Sequence, residues 1–144
     1  MRCAFGAADL MAQPAHLHAV RVYYEDTDLA GIVYYANYLR FIERARTEWV
    51  RACGVDQVAL RAEAGIVFAV RRVEADYLAP ARFDDVLEVR TSLKTFGGAR
   101  IELLQDIWRG DQRLFASVVT LVAIGVDGRP VRLPARLRQQ LSGE

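Results

Sequence analysis

One segment of the chain repeats its apolar residues with the period of an α-helix, at positions i, i+3, i+4, i+7, i+11 and i+14. These residues are Tyr38, Phe41, Ile42, Ala45, Trp49 and Ala52. Charged residues occupy the opposite side of the same helix, and Gly54 stands where a C-terminal cap belongs. The pattern predicts one long amphipathic helix over residues 36–53, followed by a weaker helix over 57–64.

Alternating apolar and polar residues predict strands on both sides of this long helix. Residues 19–25 are β-branched or aromatic at alternate positions, which is typical of a strand. After the helices come four further apolar stretches, over residues 66–78, 86–94, 100–108 and 112–126. The last stretch is so uniformly apolar that we expect it to be buried on both faces. A short helix over 134–141 is predicted to close the chain.

The order of elements predicts an α+β fold. Turn signals at 97–98, 109–111 and 127–128 predict three consecutive hairpins, and hairpins make a sheet antiparallel. We therefore expect an antiparallel sheet of about five strands wrapped around one long central helix, as a single domain over 19–144. Residues 1–18 are expected to form a flexible tail. One helix cannot cover the whole sheet, so we expect a homodimer or homotetramer.

Composition limits the classes of function. The 144 residues carry a net charge of +1, so no bulk positive field indicates a nucleic-acid partner. The longest apolar run, 114–126, is too short to span a membrane. Cys3 and Cys53 have no zinc-type spacing, and a reduced setting is their simplest interpretation. The first thirteen residues are weak as a secretion signal, and we expect a cytoplasmic protein.

Candidate chemistry lies in the loop before the long helix. No GxSxG or phosphate-binding glycine motif is present. The two histidines, His16 and His18, lie at the N-terminal edge, which argues against a Ser-His-Asp site. Glu25, Asp26 and Asp28 precede the helix instead. Three interpretations are open: helix caps, a metal site without an evident fourth ligand, or a catalytic carboxylate beside unpaired helix N–H groups that would stabilise an oxyanion.

Two segments make the chain recognisable. Residues 21–38 read RVYYEDTDLAGIVYYANY and continue as FIERARTE at 41–48, and residues 77–85 read YLAPARFDD. Together they resemble the YbgC-like acyl-CoA thioesterases, in the 4-hydroxybenzoyl-CoA thioesterase branch of the hotdog-fold superfamily, over about residues 19–128. DxDxxG alone is a weak signal, but at this fixed spacing from the helix start it is a strong one. The resemblance implies a hotdog fold.

The resemblance also implies hydrolysis of an acyl-CoA to free CoA and a carboxylic acid, without a metal or organic cofactor. It makes Asp28 the catalytic carboxylate, as nucleophile or general base, and the backbone N–H of Tyr35 the oxyanion donor. It places the site at a dimer interface, and some pocket-lining residues are assigned from position only. The substrate-binding candidates are Gly31, Val33, Tyr34, Val67, Phe68 and Val70.

Two departures from the family pattern bear on the mechanism. Many YbgC-like members carry a His where this chain has Tyr35, so an Asp-only route is expected here. The hairpin at 95–100 lacks the basic cluster that meets CoA phosphates in the hydroxybenzoyl-CoA enzyme, and Arg71, Arg72 or Arg82 are the replacements considered.

Two other functions stay open. One is a non-catalytic hotdog partner of cell-envelope (Tol-Pal) or lipid-synthesis machinery, and the other is a hydratase acting on enoyl thioesters. Hotdog hydratases typically use a histidine at the helix end, and this helix and the loop before it contain none. The acyl chain and its carrier, CoA or acyl carrier protein, are left open by the sequence.

Overall fold

The computed structural model describes residues 15–143, and these form one five-stranded sheet and three α-helices. The strands are β1 (His16–Arg21), β2 (Val67–Tyr77), β3 (Val86–Phe96), β4 (Arg100–Arg109) and β5 (Gln112–Ile124). The helices are α1 (Asn37–Ala52), α2 (Gln57–Ala64) and α3 (Ala135–Ser142), and a 3-10 turn covers Tyr24–Asp26. The predicted α+β class and the long helix are confirmed.

The strands lie in the order β1-β3-β4-β5-β2, and each neighbouring pair is antiparallel. Two hairpins, β3–β4 and β4–β5, connect neighbours, whereas β2 pairs with β5 at the edge opposite β1. The prediction of three consecutive hairpins is wrong, because in the described chain the turn at Gly128 leads only to an isolated bridge between Ile124 and Pro130. The connection over 78–85 therefore carries the chain across the sheet from β2 to β3.

Strand β1 begins and ends earlier than predicted. It pairs with β3 from His16 opposite Thr91 to Arg21 opposite Val86. The chain leaves the sheet before Tyr23 because the Asp26 carboxylate accepts a hydrogen bond from the Tyr23 N–H at 2.8 Å, which closes the 3-10 turn. Residues 16–18, assigned to the tail from sequence, thus belong to the sheet. The first fourteen residues of that predicted tail lie outside the described part of the chain.

The core lies between α1 and one face of the sheet. Phe41, Ala45 and Trp49 of the predicted helical stripe are fully buried, and each large apolar side chain buried this way stabilises the fold by about 1.5–3 kcal/mol. On β5 burial alternates, with Val119 inside and Val118 half-buried. The prediction that β5 is buried on both faces is wrong within this chain, since α1 covers only one face of the sheet.

A polar cluster ties α1 to the middle of the sheet. The Gln105 side chain is fully buried, and its amide donates to the Ile42 carbonyl at 2.9 Å and to Thr91 Oγ1 at 3.0 Å. Its Oε1 accepts from the Arg46 guanidinium at 2.8 Å. Arg46, expected on the solvent side of the helix, therefore turns inward, and burial lowers its pKa. The cluster fixes α1 along its own axis against β3 and β4.

No helix within residues 15–143 is long and apolar enough to cross a membrane. Cys53, directly after α1, is disulfide-bonded. The interpretation of Cys53 as a reduced thiol is therefore wrong.

Candidate active site

The loop between β1 and α1 is built around Asp26, which is only 6% exposed. One carboxylate oxygen accepts from the Tyr23 N–H and the other from the Asn37 side-chain amide, both at 2.8 Å. The Asp26 carbonyl accepts from the Tyr34 N–H, also at 2.8 Å. One buried acid thus joins the end of β1 to the start of α1. Of the three acids in this loop, Asp26 is the structural one.

Asp28 lies at the exposed tip of the same loop. Its N–H donates to the Ile32 carbonyl and its own carbonyl accepts from the Gly31 N–H, both at 3.0 Å. Gly31 has φ +79°, a left-handed conformation that favours glycine. Asp28 Oδ1 accepts from the Ala30 N–H at 2.9 Å, whereas Oδ2 has no hydrogen-bond partner among the described residues. One carboxylate oxygen is therefore available to a ligand.

Helix α1 begins without a side-chain cap. Its N-cap residue is Ala36, and its first turn contains no acid, so the interpretation of the loop acids as caps of this helix is wrong. The Asn37 N–H donates to the Tyr34 carbonyl at 2.8 Å, but the N–H groups of Tyr35 and Ala36 make no hydrogen bond within residues 15–143. Such unpaired groups carry partial positive charge and favour a negatively charged oxygen.

The β2–β3 connection holds the loop from its other side. The Val33 N–H donates to the Ala81 carbonyl at 2.8 Å, and the Ala81 N–H donates to the Tyr38 hydroxyl at 2.9 Å. Ile32 forms an isolated antiparallel bridge with Arg82. The two sequence segments that carry the family resemblance are therefore in direct contact.

Asp85 closes the turn at the end of this connection. Its Oδ2 accepts from the Arg82 N–H at 2.9 Å and from the Arg109 guanidinium at 2.7 Å. Burial alone would raise the pKa of Asp85, but the hydrogen bonds from Arg82 and Arg109 and the two positive charges outweigh it and hold the pKa below its ordinary value. This ion pair fastens the connection to the end of β4.

An aromatic cluster that the sequence analysis missed surrounds the start of α1. The Tyr77 hydroxyl donates to the Tyr35 carbonyl at 2.9 Å, and the two rings meet edge to face with centroids 6.2 Å apart. Tyr77 also packs on Tyr38 and Phe115, which stack on each other at 5.3 Å. Burial, aided by the neighbouring tyrosines, raises the pKa of Tyr77, so its hydroxyl stays protonated. The sequence offers one signal for Tyr77, because it is the first residue of the 77–85 segment that carries the family resemblance.

The structure brings together some of the candidate site residues and separates others. Asp28, Gly31, Tyr34 and Tyr35 share one exposed loop, and Tyr35 is 62% exposed. Val33, predicted to bind substrate, is 2% exposed and belongs to the core. Its side chain faces inward because its backbone is paired with the β2–β3 connection.

Val67, Phe68 and Val70 lie at the start of β2, whereas Tyr77, which contacts Tyr35, lies at its end. At about 3.3 Å per residue, these three residues are roughly 23–33 Å along the strand from Tyr77. Within one chain they therefore do not meet the Asp28 loop. Phe68 and Val70 line a cavity of about 230 Å³ against the middle of α1. Its other lining residues are Glu43, Arg46, Thr47, Val50, Gln57 and Leu121.

No group of three or more His, Cys, Asp or Glu side chains in the described ranges is placed to hold a metal ion. The arrangement instead combines an exposed carboxylate with two unpaired backbone donors, seven and eight residues further along the chain. Chemically, a carboxylate can attack a carbonyl carbon or activate water, while N–H donors can stabilise the oxyanion that results. These are the parts that an acyl-transfer or hydrolysis site requires.

This fold and this site define a hotdog-fold thioesterase-type protein. A family model described as the Thioesterase-like superfamily matches residues 22–141, and the chain belongs to that superfamily. A solved 4-hydroxybenzoyl-CoA thioesterase, in complex with 4-hydroxybenzoyl-CoA, is similar with a TM-score of 0.85 and 26% identity. The similarity covers 90% of this chain and 100% of that one. The predicted hotdog fold is confirmed.

Within the superfamily, the chain is a homologue of the YbgC thioesterases. It is 45% identical over 103 residues to the acyl-CoA thioester hydrolase YbgC of Escherichia coli O6:H1, covering 72% of this chain and 76% of the relative. It is 38% identical over 120 residues to the acyl-CoA thioesterase YbgC of Haemophilus influenzae, covering 83% and 88%. The predicted YbgC-like resemblance is confirmed, and the chain is a thioesterase.

Proposed function

We propose that the protein hydrolyses an acyl-CoA thioester to free CoA and a carboxylic acid. The observation that carries this proposal is the exposed Asp28 carboxylate, with its unpaired Oδ2, in the loop that leads to the unpaired Tyr35 N–H. The YbgC relatives, which are named as acyl-CoA thioesterases, support the substrate class.

The Tyr35 N–H donates a hydrogen bond to the thioester carbonyl oxygen. As a nucleophile adds to the carbonyl carbon, that oxygen becomes an oxyanion and the hydrogen bond strengthens, which lowers the barrier. Removing one such donor from an enzyme costs about 10²–10³-fold in rate. The Tyr35 N–H has no hydrogen-bond partner among the described residues, so it is open to substrate.

Asp28 has two possible roles in this scheme. As a nucleophile, its carboxylate forms an anhydride with the acyl group and expels the CoA thiolate, and water then hydrolyses the anhydride to the carboxylic acid. As a general base, it takes a proton from water, whose hydroxide attacks the thioester and expels the same thiolate. Both routes end in free CoA and the acid and need no cofactor.

We further propose that a second copy of the chain completes the site, in a homodimer or a homotetramer built from dimers. Strand β2 is a sheet edge, and its Val70, Val73 and Tyr77 are between 38% and 48% exposed. If two β2 strands pair antiparallel about a two-fold axis, the start of one lies beside the end of the other. Phe68 and Val70 of the second copy would then join the Asp28 loop of the first, as the substrate-binding prediction requires.

Three arginines are candidates for binding the CoA phosphates. One of them, Arg72, pairs with Glu74 at 3.0 Å. Arg71 and Arg82 form no ion pair within the described residues and are the better candidates. Acyl carrier protein as an alternative carrier, and a cytoplasmic location, stay predictions.

The test measures thiol release from aryl, short-chain and long-chain acyl-CoAs. Asp28→Asn should lose at least about 10²-fold in rate, since a positioned acid–base group contributes that much. Glu25→Gln is the matched control, because it removes one exposed acid from the same loop, and it should keep wild-type activity. Equal activity of Asp28→Asn and wild type contradicts the proposal and favours a non-catalytic partner role. Single-turnover reaction in ¹⁸O-water labels the Asp28 carboxylate only on the nucleophilic route.

A further inference from the structure

The backbone on both sides of Tyr35 is held by hydrogen bonds to its carbonyl oxygens, although the loop is exposed. The Tyr34 carbonyl accepts from the Asn37 N–H at 2.8 Å, and the Tyr35 carbonyl accepts from the Tyr77 hydroxyl at 2.9 Å. Each carbonyl shares a planar trans peptide with the next N–H, so these bonds fix the planes that carry the Tyr35 and Ala36 N–H groups. Both planes are held through their oxygens, and both N–H groups are left without a partner among residues 15–143.

The hydroxyl that holds the second plane is itself rigidly placed. Tyr77 is the last residue of β2, and its ring is held edge to face by Phe115 of β5 at 5.2 Å and by Tyr38 of α1 at 5.3 Å. Tyr38 in turn receives the Ala81 N–H. The position of the Tyr77 oxygen is thus set by the sheet and by α1 rather than by the loop it contacts.

We infer that Tyr77 is a positioning residue of the proposed thioester-hydrolysing site: its hydroxyl fixes the Tyr35–Ala36 peptide, so that the Ala36 N–H is aligned beside the oxyanion-donating Tyr35 N–H before substrate binds. This inference rests on the proposed function. Preorganised donors are effective because they need no reorientation as charge develops on the oxygen. Without the hydroxyl, the Tyr35 carbonyl is free to turn toward water, and the loop must be reordered in each turnover.

Tyr77→Phe tests the inference, because it removes the hydroxyl and keeps the ring packing. We expect kcat to fall about threefold to tenfold, the equivalent of one hydrogen bond, with KM changed by less than about twofold. Tyr24→Phe is the matched control. It removes a hydroxyl from a tyrosine that is 81% exposed and that packs on Phe83 away from α1, and it should leave kcat unchanged.

A second measurement does not depend on turnover. In the wild type, the backbone ¹⁵N order parameters at Tyr35 and Ala36 should be about 0.85, which is typical of rigid backbone. They should fall in Tyr77→Phe but not in Tyr24→Phe. Unchanged order parameters, or a kcat equal to that of the wild type, overturn the inference. A wild type that releases no thiol defeats the proposed function instead, and the order parameters then still decide whether Tyr77 holds the loop.

Discussion

Asp26→Asn and Asp28→Asn make the same chemical change two residues apart, and the structure assigns them opposite consequences. Asp26 accepts two hydrogen bonds at 2.8 Å in a buried setting. An Asn there can still accept one of them, but its amide NH₂ then faces a second donor. Bonds to a charged group are worth about 1.5–3 kcal/mol each, so one lost bond and one weakened bond cost about 3 kcal/mol.

Asp28→Asn should leave stability almost unchanged. The Asn carbonyl can still accept from the Ala30 N–H, and the side chain is exposed, so the expected change is within about 0.5 kcal/mol. The variant should instead lose thiol release. The pair therefore predicts a crossed pattern, in which one variant loses stability and the other loses activity.

Thermal unfolding and thiol release, both measured on the same preparations, give the result. For a domain of this size, the 3 kcal/mol loss at Asp26 corresponds to a fall in Tm of about 6–12 °C, while Asp28→Asn should melt within about 2 °C of the wild type. A wild-type Tm for Asp26→Asn would refute the structural role given to that carboxylate. A large drop in Tm for Asp28→Asn would refute the claim that it is free for chemistry.

Two further predictions concern the supports of the site. Gln105→Leu should lower the free energy of unfolding in urea by about 1–3 kcal/mol, because the Arg46 guanidinium and the Ile42 carbonyl on α1 and the Thr91 hydroxyl on β3 lose their partner; wild-type stability would contradict the cluster's role. Asp85 has a pKa below its ordinary value, so it stabilises the fold above about pH 3.8 and loses that contribution as the pH falls through its folded pKa. The Tm gap between wild type and Asp85→Asn should therefore be full at neutral pH and shrink below pH 3.8, whereas a gap independent of pH would contradict the ion pair with Arg109.

Local patterns predicted the elements whose burial follows a simple period. The stripe from Tyr38 to Trp49 and the face of β3 that includes Leu87 and Val89 are buried as the periodicity indicates. The pairing of β2 with β5 could not be predicted this way, since neighbouring turn signals do not reveal a strand that returns to the far edge. The misplaced end of β1 has a local cause, because Tyr23 and Tyr24 favour strands but Asp26 captures the backbone.

Part of the candidate site could likewise be predicted from sequence, and part could not. The positions of Asp28 and Tyr35 follow from a contiguous motif, so the loop that holds them could be predicted from sequence. The structural role of Asp26 and the contact of Tyr77 with Tyr35 depend on side chains distant in sequence or turned inward, which no spacing rule reveals. Phe68 and Val70 were assigned from position alone, and the length of β2 separates them from the loop in a single chain.

Ala36 at the head of α1 bears on how this protein can change over generations. A Ser, Thr, Asp or Asn at an N-cap is worth about 1 kcal/mol over Ala, but only where the cap residue has extended backbone and its side chain reaches the N–H groups two or three residues further along the helix. Ala36 has φ −72° and ψ −20°, which is helical backbone, so a polar side chain there does not bring that gain. Selection for heat resistance therefore finds no easy improvement at the residue where the helix N–H groups are left open, and descendants of this protein have to gain stability elsewhere.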